Sequence, residues 1–300
     1  VVRSNLGVVP RRDGVQCFFA SDLHGRIDRY RKLLSRIEAD RPDALFLGGD
    51  LLPMPYAVLG TPAGGPEGFV TGFLAVELGR LRDRLGDSYP EVFLILGNDD
   101  PRSAEGAVLE AASRGIWHYA HDRRVAFGDL EVYGYSCIPP SPFLLKDWEQ
   151  YDVSRFVDPG SVSPEEGRRT VPRSVRDIRN GTIQQDLERL AGKGDLARAI
   201  LLFHSPPYET KLDRAALDGR SVDHAPLDVH TGSIAIRRFI VARQPLITLH
   251  GHVHESARLS GEWRDRIGRT HLFSAAHDGP ELALVRFDPD APDDATREIC

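Results

Sequence analysis

Short, mainly apolar runs alternate along this chain with stretches whose apolar positions recur every three or four residues. The runs are residues 15–20, 44–47, 92–96, 200–203 and 246–249, four to six residues each. Such lengths are too short for a buried helix and suit a strand covered on both faces. Between the first two runs, Ile27, Tyr30, Leu34 and Ile37 mark one amphipathic helix, and Leu74, Leu78, Leu81 and Leu85 mark another before the third run. Helices are also expected over residues 104–113, 184–190 and 233–242. Strand, helix and returning strand make a β-α-β crossover, which lays parallel strands under a layer of helices. The class predicted is α/β.

Other segments are less regular. Residues 116–120 and 130–136 read as strands flanking a turn near Gly128-Asp129, and residues 271–275 and 281–287 as strands finishing a second sheet by antiparallel pairing. Residues 53–68 are rich in proline and glycine and read as a loop. The stretch 138–182 has several prolines, many charges and little periodicity, as expected of a surface excursion that serves as a lid or rim. The acidic, proline-containing tail from Asp288 is expected to fray.

At 300 residues the chain admits one large domain or two small ones. The polar motifs run from Asp22 to His254, and any cut between would divide them. One domain over residues 1–300 is therefore expected, with its core at about 15–288. A net charge of −6 argues against an extended nucleic-acid surface, although bound ions would still admit a nucleotide into a pocket. The basic cluster Arg168, Arg169, Arg173, Arg176 and Arg179 reads as a solvated face. Cys17, Cys137 and Cys300 are few and scattered, which suits a reducing, cytoplasmic location. No signal-peptide core and no apolar run near the ~18 residues of a membrane span stand out, so a soluble protein without membrane contact is expected.

The chemistry lies just after the five apolar runs: Asp22-Leu23-His24, Gly49-Asp50, Gly97-Asn98-Asp99-Asp100, His204, and Gly251-His252-Val253-His254. Parallel strands end at one edge, and ligands collect there. Alternation puts Asp22 and His24 on one side of the chain, where they can hold one ion together, whereas His252 and His254, again two apart, can each reach a different ion. Carboxylates, imidazoles and one amide together suit two divalent transition metals, Mn²⁺, Fe or Zn²⁺, more than an all-oxygen Mg²⁺ site. A carboxylate such as Asp50 can bridge two such ions. Singly, each motif is more often a turn or a surface pair; the weight lies in the ordered set. His250 reads as a structural imidazole, and His118 and His121 as surface or hairpin residues.

In this order and spacing the motifs resemble the calcineurin-like metallophosphoesterase family, over nearly the whole chain. His204-Ser205-Pro206-Pro207, Gly232-Ser233 and Gly251–Ser256 look further like the Icc-related branch of predicted phosphoesterases. The resemblance implies a four-layer sandwich of two mixed central sheets flanked by helices. It implies a first metal on Asp22, His24 and His254, a second on Asn98, His204 and His252, and Asp50 bridging them. The implied reaction is hydrolysis of a phosphoester.

One position departs from the family. Most members carry a histidine after the asparagine, and here the residue is Asp99. Asn98 and Asp99 are thus the catalytic positions in question. With the usual imidazole absent, phosphodiesters or activated phosphomonoesters of small molecules or nucleotides are the expected substrates. A metal-bearing binding or scaffold module with negligible turnover is the competing class. Loop residues Tyr56, Tyr208, His230 and Ser233 are weaker candidates for substrate contact, as is His277-Asp278 after a late strand.

Overall fold

A computed structural model describes residues 14–54 and 64–300 of the chain. It begins with β1 (Cys17–Ala20), α1 (Ile27–Asp40) and β2 (Ala44–Gly48). Next come α2 (Gly65–Phe69), a π-helical turn over Val70–Leu74, α3 (Ala75–Leu85) and β3 (Glu91–Ile95). Helix α4 (Glu105–Ser113) precedes β4 (His118–Tyr119), β5 (Arg123–Phe127) and β6 (Leu130–Tyr135). Helices α5 (Val175–Asn180) and α6 (Ile183–Ala191) lead to β7 (Ala199–Phe203) and the short pair β8 (Ser221–Val222) and β9 (Ala225–Pro226). The chain closes with α7 (Ile234–Arg243), β10 (Ile247–His250), α8 (Ser256–Ser260), β11 (Arg264–Ile267), β12 (Thr270–Ser274), β13 (Ala283–Phe287) and β14 (Thr296–Ile299).

Two six-stranded mixed sheets result. One runs β14-β13-β1-β2-β3-β4, the other β11-β12-β10-β7-β6-β5. Strands β1 to β4 pair in parallel, as do β6, β7, β10 and β12; the outer strands are antiparallel. Side chains alternate across each sheet. Phe19, Phe46, Phe93 and Ile95 meet Val132, Ile200, Leu249 and Phe273 between the sheets, while Phe18, Leu45, Leu94, Leu201 and Phe203 belong to the core under the helices. Phe46 stacks on Phe93 with ring centroids 5.2 Å apart. Both strand faces are dry, which is why the strands read as mainly apolar runs. Helices, two sheets and helices make four layers.

Several expectations need correction. In α1 it is Leu33, with Tyr30 and Ile37, that is fully buried, whereas Leu34 is only partly so. The strand opposite β6 across the Gly128-Asp129 turn is β5, with Phe127 paired to Leu130. Residues 116–120 instead supply β4 to the other sheet. Arg123 and Arg124 are exposed, so β5 lacks an apolar run. Strands β12 and β13 do not pair: β12 runs parallel to β10, and β13 antiparallel to β1. The acidic tail does not fray, because β14 pairs with β13 and the Cys300 amide donates to the Leu282 carbonyl. Backbone pairing there is indifferent to side-chain polarity. The end of the 53–68 loop is helical from Gly65.

The stretch 138–182 has its own interior. Trp148 is wholly buried and its indole donates to the Asp100 carbonyl at 2.8 Å. Lys146 and Glu149 form a buried ion pair, and Asp147 accepts the Arg102 amide. His121 packs edge-on against Trp148, with centroids 4.9 Å apart, and its Nδ1 accepts the Ser136 amide. His121 is thus a partly buried residue that bridges Gly134 beside the β5–β6 hairpin, whereas His118 is exposed. Prolines and charges hide such packing because the buried charges are paired locally.

Candidate metal centre

Strands β1, β2 and β3 of one sheet and β7 and β10 of the other end side by side. The loops beyond them are stitched by backbone: the Asp22 amide donates to the Gly49 carbonyl at 2.9 Å, His24 to Asp50 at 2.8 Å, and Gly251 to His204 at 2.9 Å. Four polar residues there lie in the left-handed region, Asp22 (φ 56°), His24 (47°), Asp50 (51°) and His252 (72°). Each costs on the order of 1 kcal/mol and re-aims a side chain that strand alternation alone would misdirect. Close approach also needs glycine. A Cβ on Gly251 would lie 2.7 Å from Asp22 Oδ2, and one on Gly97 2.4 Å from Asp50 Oδ1.

Two donor groups arise. Asp22, His24, Asp50 and His254 have ligand atoms all within 4.8 Å of one another, and so do Asp50, His204 and His252. Asp50 belongs to both. His204 Nδ1 stands 2.8 Å from the Gly48 carbonyl, which can only accept, so Nδ1 carries the proton. Its Nε2 then faces Asn98 Oδ1 at 2.9 Å and Asp50 Oδ2 at 3.3 Å. In the first group His24 Nε2 and His254 Nε2 are 3.2 Å apart, with Asp22 Oδ1 3.3 Å from the latter. Buried His24 Nδ1 has no hydrogen-bond partner among the described residues. Lone pairs converging on one another in a buried site are unfavourable unless a cation lies among them. The donor set fits divalent metals.

The model of the calcineurin-like phosphoesterase family matches residues 17–256. The chain belongs to the calcineurin-like phosphoesterase family. It is a metal-dependent phosphoesterase, of a family that typically binds two divalent metals. Solved structures share the fold. One crystal structure superposes with a TM-score of 0.59 at 16% identity, covering 95% of this chain and 99% of the other. Another, TT1561 of Thermus thermophilus, gives 0.53 at 13% identity, covering 95% and 99%. No curated protein matches the chain. Among the described residues no helix is long and apolar enough to cross a membrane.

The electrostatics of this phosphoesterase are dominated by two buried carboxylates. Burial pushes the Asp22 carboxyl up, but the hydrogen bond and charge of His254, aided by His204 and His24, hold it well below the usual range. For Asp50, burial is likewise outweighed, by the charge and hydrogen bond of His204. Reciprocally, against the pull of burial, Asp50 raises His204 to about 10, and Asp22 raises His254 to about 9. His252 is lowered to about 3 by burial and then by the charge of His204. The carboxylates thus recruit positive charge, and cations that replace those protons on ligating imidazoles bind more weakly as pH falls. Asp99 is raised to about 7, by burial and then by Asp50, although a nearby cation would oppose that.

Asp99 sits at the rim. Its amide donates to Asp50 Oδ1 at 2.8 Å, its Oδ1 accepts from Asn98 Nδ2 at 2.9 Å, and its Oδ2 lies 3.7 Å from His24 Nδ1. His250 stays out of the cluster: Nδ1 donates to the Ser205 carbonyl and Nε2 meets the Thr248 hydroxyl at 2.7 Å. Ser233 is not offered to a substrate. Its buried hydroxyl caps α7 and donates to Asp152. His230 is tied to buried Asp213 at 2.9 Å, and the Tyr208 hydroxyl donates to Asp228. Tyr56 lies outside the described residues. His277 and Asp278 do approach, lining a cavity with His24 and His254.

Two supporting residues had no role assigned from the sequence, although Asp100 lies in the Gly97–Asp100 motif. Asp100 accepts the amides of Gly97, Leu51 and Leu52 at 2.7–3.1 Å, tying the Asp50 and Asn98 loops together. Buried Arg29 donates to the Asp22 carbonyl at 2.6 Å. An arginine beside Tyr30 on the inner face of an amphipathic helix was the available signal.

Proposed function

We propose that this enzyme is a single-domain, two-metal phosphohydrolase that prefers phosphodiesters and activated aryl esters, nucleotides included, over alkyl phosphomonoesters. In this reading Asp22, His24 and His254 hold one ion, Asn98, His204 and His252 the other, and Asp50 bridges them. A nitrogen-rich donor set favours Mn²⁺, Fe or Zn²⁺, and the three free cysteines accord with a reducing, cytoplasmic setting.

The observation that carries the substrate preference is Asp99, 3.7 Å from His24 at the rim, where most relatives have an imidazole. Bound cations would polarise a phosphoryl oxygen and the attacking water. The protein's part is to orient and exclude. Gly48 fixes the His204 tautomer through its carbonyl, Asn98 holds the Asp99 carboxylate, and the Asp99 amide holds Asp50. An ionised Asp99 repels a phosphate dianion more strongly than a diester monoanion. With bound cations opposing the rise of the Asp99 carboxyl, Asp99 stays ionised and donates no proton, and general acid help from a histidine, commonly about 10²–10⁴-fold, is replaced by dependence on a good leaving group.

The test is turnover of Mn²⁺-supplemented protein with bis(4-nitrophenyl) phosphate, 4-nitrophenyl phosphate, alkyl monophosphates and cyclic nucleotides. Diesters and activated esters should lead. Equal rates on aryl and alkyl monoesters would refute the preference, and full metal loading without turnover of any ester would favour a binding module.

A further inference from the structure

A cavity of about 480 Å³ opens beside the first donor group, with His24 and His254 in its wall. That is room for a nucleoside-sized arm. Arg26, Arg29 and Arg258 line it against two carboxylates, Glu255 and Asp278. This local cationic excess runs against a chain whose net charge is −6.

The three guanidiniums differ in how far their charge is already balanced. Arg258 is held by Asp278 at 2.7 Å. Arg29 is buried and donates to three carbonyls, those of Asp22, Gly279 and Pro280, and to no carboxylate, so its charge, offset only at longer range by Asp22, Asp28 and Glu281, stands in the cavity wall. Arg26 is 41% exposed, and its ion pair with the more exposed Asp28 is 3.8 Å long, a contact of little worth. Arg26 also occupies the N-cap of the 14-residue α1 without capping it, so the positive end of that helix lies at the cavity rim. Of the two carboxylates, Glu255 accepts the Ala216 amide and Asp278 faces Arg258.

We propose that this cavity binds a second anionic group on the substrate arm that extends away from the reacting phosphoryl group. Arg26 is its direct contact and Arg29 a fixed charge beneath it. The substrate class is then a phosphodiester bearing a further phosphate on one arm, which rests on the phosphodiester reading above.

Two pairs of probes test it. Thymidine 5′-(4-nitrophenyl phosphate) and its 3′-phosphorylated counterpart share reacting ester and leaving group and differ by one distal phosphate. In the Mn²⁺-loaded enzyme the second should show a KM lower by about tenfold at low salt, a contrast that shrinks as salt screens it. Without chemistry, thymidine 3′,5′-bisphosphate should bind about tenfold tighter than thymidine 5′-monophosphate by calorimetry. Arg26→Gln should bring both ratios close to one. Equal binding of the two nucleotides by the wild type overturns the site, and an unchanged ratio in Arg26→Gln overturns the role of Arg26. Hydrolysis of both esters without contrast would leave the phosphodiester reading intact and refute the anion site. Calorimetric contrast without hydrolysis would do the reverse.

Discussion

Replacing Gly97 with alanine adds one methyl group where the two sheets meet the donor cluster. The new Cβ would stand 2.4 Å from Asp50 Oδ1, 2.5 Å from the Asp50 amide nitrogen and 2.7 Å from His204 Cε1. Comfortable contact needs about 3.5 Å, so each neighbour must retreat by roughly 1 Å. Two of them resist. The Asp50 nitrogen belongs to a backbone already at φ 51°, and the buried His204 ring is pinned to the Gly48 carbonyl. The Asp50 carboxylate therefore yields, and with it the bond to the Asp99 amide. Overpacking of this kind costs about 1–3 kcal/mol, or a Tm lower by roughly 2–10 °C in a chain of this size. Disturbed support around ligands typically costs about 10–100-fold in metal affinity. Gly106→Ala is the control, since its Cβ meets nothing within 4 Å in α4. It should stabilise by about 0.4–1 kcal/mol and leave turnover unchanged. Thermal unfolding, calorimetric Mn²⁺ titration and aryl-ester turnover on both variants decide the matter. Wild-type metal affinity and turnover in Gly97→Ala would refute the steric reasoning.

Other outcomes follow from the same geometry. Asp50→Ala should lower occupancy of both ions and damage turnover more than loss of any terminal ligand, while circular dichroism stays native; wild-type turnover at matched metal content would count against the bridge. In the wild type, log rate should fall steeply as the leaving-group pKa rises, and Asp99→His should flatten that slope; loss of all activity would instead mark Asp99 as a participant. His121 is lowered to about 3, chiefly by burial. Its neutral form therefore contributes stability that is complete above the unfolded pKa of about 6.5 and is lost as pH falls toward 3, by up to about 1.4 kcal/mol per pH unit. His121→Asn, which keeps an acceptor for the Ser136 amide, should flatten urea-derived stability across that window; identical slopes would show that His121 is not responsible.

Burial on both faces leaves a mark in sequence. It made the parallel strands legible as apolar runs, and the glycines and polar residues at their ends marked the shared edge where Asp22, His24, Asp50, Asn98, His204, His252 and His254 gather. Other features had no local signature. Strands β5 and β14 are held by backbone pairing and carry charges outward, so periodicity missed one and a polar composition hid the other. The pairing of β13 with β1 rather than β12 depends on contacts far apart in sequence, where local pattern carries no partner. The interior around Trp148 was masked because its charges are satisfied internally, Lys146 by Glu149 and Asp147 by the Arg102 amide. At the site itself, residue types and spacing were set by the chain. Their aim was not: left-handed turns at Asp22, His24, Asp50 and His252, and the bonds of Asp100 and Arg29, turn the side chains to one point. Such strain persists only because the surrounding packing over-determines it, and packing exists only in the tertiary structure.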